Sequence, residues 1–125
     1  GWPISSYSNY YGFENYEIRK LAPFHKSHKE HGFIEPAIQF SPSIAPSEIV
    51  FDIFEKQNDK KFILSTLKDQ SLHFLEISDN FETIIAKDRL YIGERIRDIM
   101  PIQNDYYILF LESSPALGIL KKRYF

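Results

Sequence analysis

The sequence predicts an all-β fold made of β-propeller blades, about two of them. Three observations predict it. Aromatic residues make up 16% of the chain, with 11 Phe and 8 Tyr, and such side chains suit pleated, half-buried surfaces better than helices. Short runs rich in Ile, Leu and Phe recur along residues 36–125, each bounded by turn-forming residues. They group into a series of four and a series of three, whose leading runs lie about 45 residues apart, the length of one blade. Strong helix signals are missing throughout.

Residues 1–33 come first and are irregular. They are rich in Tyr, Ser, Asn and Gly, then in Lys and His, with neither a period of 2 nor one of 3.6. We read a long loop region over 1–35, of the functional or disordered kind. The chain opens on Gly1-Trp2-Pro3 without a Met, which reads as a cut within a longer protein. His25, His28 and His31 recur at every third position beside Lys26 and Lys29. A metal site there is conceivable, but the cationic surroundings oppose it, so a solvated polar loop is the preferred reading and no metal ligand is assigned.

Regular structure begins at residue 36. Ala37-Ile38-Gln39-Phe40 reads as a short strand ended by Ser41-Pro42. Strands are then expected at 47–51, 62–67, 71–77 and 82–88, and a second series at 95–102, 106–111 and 117–122. The turns between them carry Asn, Asp, Gln and Ser, which bond their own backbone or tolerate the left-handed conformation. His73 alternates within an apolar strand and reads as a packed or edge histidine. One blade is expected over 36–92 and most of a closing blade over 93–125.

Composition narrows the function. The 125 residues are enough for a single core, 43% of them are hydrophobic, and the formal net charge is −2. A net negative chain lacks the basic footprint of a nucleic-acid binder. Without cysteine there is no disulfide and no thiolate metal site. No apolar run approaches the ~18 residues of a membrane helix.

The stretch that carries chemistry is Glu94-Arg95-Ile96-Arg97-Asp98. Arginines at i and i+2 of a strand project from one face, and each holds a carboxylate in a two-pronged grip without ever becoming neutral. The pair suits an anion with more than one acidic group. In an up-and-down blade, the loop after strand two shares a rim with the connection to the next blade. Lys68, which closes the second strand, is therefore expected at the same mouth as Arg95 and Arg97. Asp98 is expected to support the arginines by pairing with them.

Several segments resemble the C-terminal part of the glucose/sorbosone dehydrogenase family, soluble quinoprotein sugar dehydrogenases that use pyrroloquinoline quinone (PQQ). Gly93 through Asp98, followed by a polar turn and an apolar hairpin, is similar to the family's Arg-x-Arg-Asp segment. Phe62-Ile63-Leu64-Ser65-Thr66-Leu67-Lys68 resembles its strand ending in a cofactor-contacting lysine, and Gly1-Trp2-Pro3 with Tyr10-Tyr11-Gly12 resembles its Gly-Trp-Pro segment. Asn104-Asp105-Tyr106 lacks the glycine of the family's turn, and Phe110-Leu111-Glu112-Ser113 replaces a Leu-Thr-Asp-like segment.

The resemblance implies the last two blades of a six-bladed propeller, oxidation of a sugar C1 hydroxyl with hydride transfer to PQQ, and a periplasmic or secreted location. It implies Lys68, Arg95 and Arg97 as PQQ contacts. The catalytic histidine and the calcium ligands belong to earlier blades, so no catalytic residue is assigned in this chain. The open sheet edges call for the remaining blades or for self-association. A second reading stays open, in which the arginines form an ion-pair network tying neighbouring blades and the protein is a non-catalytic propeller module binding carbohydrate or protein.

Overall fold

Seven strands form where apolar runs alternate with turn residues. In the computed structural model, residues 28–55, 58–103 and 106–123 are described. The chain divides into two units, Gly1–Pro42 and Ser43–Phe125. The expected motifs at Gly1-Trp2-Pro3 and Tyr10-Tyr11-Gly12, and His25, lie outside the described residues, as do the turn residues Asn104 and Asp105.

In the first unit, Lys29–His31 forms a single 3-10 turn ended by Gly32 at φ +75°. The Lys29 N–H donates to Glu35 Oε1 at 2.9 Å. The strand expected at 37–40 does not form. Pro36 and Pro42 flank it, and proline cannot donate to a ladder.

In the second unit, β1 (Pro46–Phe51), β2 (Lys61–Thr66), β3 (Ser71–Ile77) and β4 (Ile84–Tyr91) make an antiparallel sheet in the order β1-β2-β3-β4. A second antiparallel sheet holds β5 (Ile96–Ile102), β6 (Tyr106–Leu111) and β7 (Ala116–Lys121), again in chain order. The all-β expectation is met, with each strand within a few residues of its expected place. Both leading strands begin alike. Pro46 pairs with Thr66 and Glu48 with Ser65, leaving Ser47 as an extra residue. Ile96 pairs with Leu111 and Asp98 with Phe110, leaving Arg97 as one. A bulge of this kind re-aims the side chain it carries.

The two sheets share one core. Ile63 and Leu72 from the first sheet cluster with Ile96, Ile99, Tyr107 and Leu109 from the second. Each such aliphatic side chain stabilises the fold by about 1.5–3 kcal/mol on burial. Polar groups caught at the seam are paired. Ser47 Oγ donates to the Ile96 carbonyl at 2.6 Å, and Ser65 Oγ lies 2.9 Å from Ser47 Oγ. The Ser65 hydroxyl also lies 3.3 Å from the Glu48 carbonyl, to which it donates, so both serines are held at the start of β1. Tyr107, fully buried, donates its hydroxyl to the Phe51 carbonyl at 2.8 Å and accepts the Ile53 N–H at 2.5 Å. Lys122 Nζ reaches Glu55 Oε1 at 2.7 Å. Strand β1 is thus bonded to the second sheet near both of its ends.

Candidate functional site

One end of the sheet pair gathers the β2–β3 turn, the β4–β5 connection and the β6–β7 turn. The first two share the rim expected of them. The Gln70 carbonyl accepts the Ile92 and Gly93 N–H groups at 3.0 and 3.2 Å. Gln70 adopts φ +53° and Gly93 φ +82°. At Gly93 only a residue without a Cβ takes that conformation freely.

Arg95 directly precedes β5 and Arg97 is its bulged residue. Both reach Glu112, in the β6–β7 turn. Arg95 Nε donates to Glu112 Oε2 at 2.9 Å and Arg97 Nη2 donates to Oε1 at 2.5 Å. The backbone closes the same corner, with the Glu112 N–H on the Arg95 carbonyl at 2.8 Å. The hydrogen bonds from Arg97 and then Arg95 hold the Glu112 carboxyl below its usual range. Asp98 does not bridge the arginines as expected. Its Oδ1 accepts the Ile99 N–H at 2.7 Å, and the bridging carboxylate is Glu112. The Arg95–Glu112 and Arg97–Glu112 pairs lie within the second sheet, so among the described residues this network does not tie one sheet to the other.

Lys68 occupies the β2–β3 turn with its side chain exposed. Its N–H and that of Asp69 both donate to the Ile44 carbonyl, at 3.1 and 3.2 Å, and the Leu67 N–H donates to Ala45. The Asp69 carboxylate is held from two sides. Arg89 of β4 grips it with Nε on Oδ2 at 2.8 Å and Nη2 on Oδ1 at 2.9 Å. The ring Nε2 of buried His73 lies 2.9 Å from Oδ2. His73 and Arg89 face each other across the β3–β4 ladder. His73 is therefore a packed histidine, as its strand position suggests. Sequence reasoning passed over Glu112 as a partner and missed Asp69 and Arg89 entirely. What joins Asp69 and Arg89 is the β3–β4 register, which sets Arg89 opposite His73 and which no local pattern encodes.

The Arg89 guanidinium, with smaller help from His73 and Ser71, holds the Asp69 carboxyl down to about 2 from its usual 3.8. A carboxyl depressed by folding contributes stability that is present above its unfolded value and lost as pH falls through the folded one. Unfolding followed by urea between pH 5 and pH 2 should show a loss of stability on the acid side of 3.8 that Asp69→Asn largely lacks. Parallel losses in both proteins would mean that the Asp69–Arg89 pair does not form in solution.

Among the described residues, no group of three His, Asp or Glu is placed to hold a metal ion, and no helix is long and apolar enough to cross a membrane. Compared with known proteins, the chain matches the family described as Glucose / Sorbosone dehydrogenase over residues 1–121. No curated protein and no solved structure matches it.

Proposed function

Because the chain belongs to the glucose/sorbosone dehydrogenase family, we propose that it forms the last two blades of a six-bladed propeller in a PQQ-dependent aldose dehydrogenase. In this reading one blade covers 36–92 and most of the closing blade covers 93–125. The repeated bulge at Ser47 and Arg97, at the same place in the two sheets, supports two copies of one blade pattern. A periplasmic or secreted location belongs to the same proposal.

The observation that carries the reading is the grip on Glu112. PQQ is a tricarboxylate, and the arginine pair already holds a carboxylate, each guanidinium giving it one N–H. A guanidinium has five donors, and no other acceptor among the described residues is bonded to either side chain. The residues therefore fit a polycarboxylate, with donors to spare beside the one that Glu112 takes. When bound, PQQ supplies the ortho-quinone that receives hydride from the sugar C1.

This chain's residues bind and orient. Arg95 and Arg97 hold carboxylates of the cofactor, with Glu112 fixing the two guanidiniums in register with each other. Lys68 brings a third cation to the same rim. Positive charge fixed there before binding needs no rearrangement when negative charge develops on the quinone, the preorganisation that lowers barriers most. We place the proton-accepting histidine and the calcium ligands in other blades.

The test is a titration with PQQ, calcium present, on the polypeptide that carries all the blades, followed by aldose-driven dye reduction. Saturable binding with turnover is the expected result. Binding without turnover would deny the dehydrogenase reading while keeping the cofactor site. No binding would leave Arg95 and Arg97 as a structural clamp on Glu112, and the non-catalytic binding module would take over.

A further inference from the structure

The cofactor reading uses Lys68 but says nothing of why its turn should stand still. Lysine ends in a compact point charge on a flexible stem, so its usefulness in a binding site depends on how firmly its backbone is placed. Around Lys68 the backbone is tied on every side. Residues 67–69 donate to Ile44 and Ala45, and Ser71 Oγ donates to the Asp69 carbonyl at 2.8 Å. The Gln70 carbonyl takes both N–H groups of the segment leading to Arg95.

The side chains of β4 add a second clamp. Arg89 meets Asp69 fork to fork, and its guanidinium lies 5.5 Å from the centre of the Tyr91 ring. The Tyr91 hydroxyl donates to Gln70 Oε1 at 3.3 Å. Two consecutive residues of the turn, Asp69 and Gln70, are thus held by two alternate residues of one strand.

We propose that Asp69 and Arg89 are positioning residues of the cofactor site, their two-pronged ion pair holding the β2–β3 turn so that Lys68 stays in register with Arg95 and Arg97. The inference rests on the reading of Lys68 as a PQQ contact. An exposed single-contact ion pair would contribute little, but this one is bidentate and shares its carboxylate with a buried histidine. The turn it holds is bonded through Gln70 to residues 92 and 93. Losing the pair frees the turn on the side facing β4, and the cost falls on whatever Lys68 binds.

A double-mutant cycle on the full-length polypeptide tests this, read as PQQ affinity with calcium present and with the thermal midpoint recorded for each variant. Lys68→Ala is expected to weaken binding about tenfold and Arg89→Ala about fivefold, with the double variant no weaker than Lys68→Ala alone. Arg89→Lys keeps the charge but loses the fork, and it should behave like Arg89→Ala. Exchange of the Lys68 and Asp69 amides should quicken in both Arg89 variants. Multiplying effects, or an Arg89→Lys variant with full affinity, would show that Arg89 acts by charge and not through Lys68. Unchanged affinity in Arg89→Ala would reduce the pair to a structural tie. Unchanged affinity in Lys68→Ala, with binding still lost in Arg97→Ala, would instead remove Lys68 from the site and this proposal with it.

Discussion

Replacing Arg95 and Arg97 together by alanine is expected to weaken PQQ binding about a hundredfold while leaving the unfolding midpoint nearly unchanged. Hydrogen bonds to charged groups contribute about 1.5–3 kcal/mol each when desolvated, and partial exposure at the rim brings that toward the lower end, about tenfold per arginine. Both side chains are roughly half exposed, at 45% and 57%, so little core packing goes with them. Glu112 would be left without its partners, but in water an exposed carboxylate is solvated at small cost. Its carboxyl should then titrate nearer its usual range, which proton-detected NMR of the variant would register. A large fall in stability with unchanged affinity would overturn the assignment, because it would make the pair a fold element and not a ligand contact.

The bulge also explains which parts of the site could be read from the chain. Strict alternation puts positions 95 and 97 on one face, and the two side chains do meet on one carboxylate. Alternation cannot say which carboxylate, because the partner comes from a turn about one hairpin away. Asp98, adjacent to Arg97, is the carboxylate the sequence reading favours, but the extra residue at 97 re-phases the strand. Ile96 and Ile99 are buried with two exposed residues between them, and Asp98 turns to its own neighbour's N–H. Strand positions were legible because each apolar run ends in residues that favour turns. The run at 37–40 shows the limit, since apolar content is not enough between prolines, where no strand among the described residues takes up its ladder. The Asp69–Arg89 pair was illegible for a different reason. Its members are joined by the register of β3 on β4, and no local pattern encodes that register.

The seam between the sheets makes the strongest stability prediction, and it turns on one hydroxyl. Tyr107 is fully buried, stands edge-on to Phe54 at 5.1 Å between ring centres, and joins the last residue of β1 to β6 through Phe51 and Ile53. Tyr107→Phe keeps the ring and removes both bonds, leaving the Phe51 carbonyl and the Ile53 N–H without this partner at a part-buried seam. Each such orphan costs about 1–3 kcal/mol when fully buried, and part-burial keeps the two toward the lower end, so the variant should lose about 2–4 kcal/mol, as much as a typical core truncation, without any cavity being made. The Ile53 amide should exchange faster by more than the global loss accounts for. Burial also pushes the Tyr107 hydroxyl up to about 12 from its usual 10. A group raised by folding contributes stability that is full below its unfolded value and disappears as pH rises through the folded one. The wild-type protein should therefore lose stability between pH 10 and about 12, and Tyr107→Phe should lack that component. A variant as stable as wild type at neutral pH, with the same alkaline limb, would mean that the hydroxyl is hydrated and adds nothing to the shared core and the Ser47–Ile96 bond in holding the two sheets together.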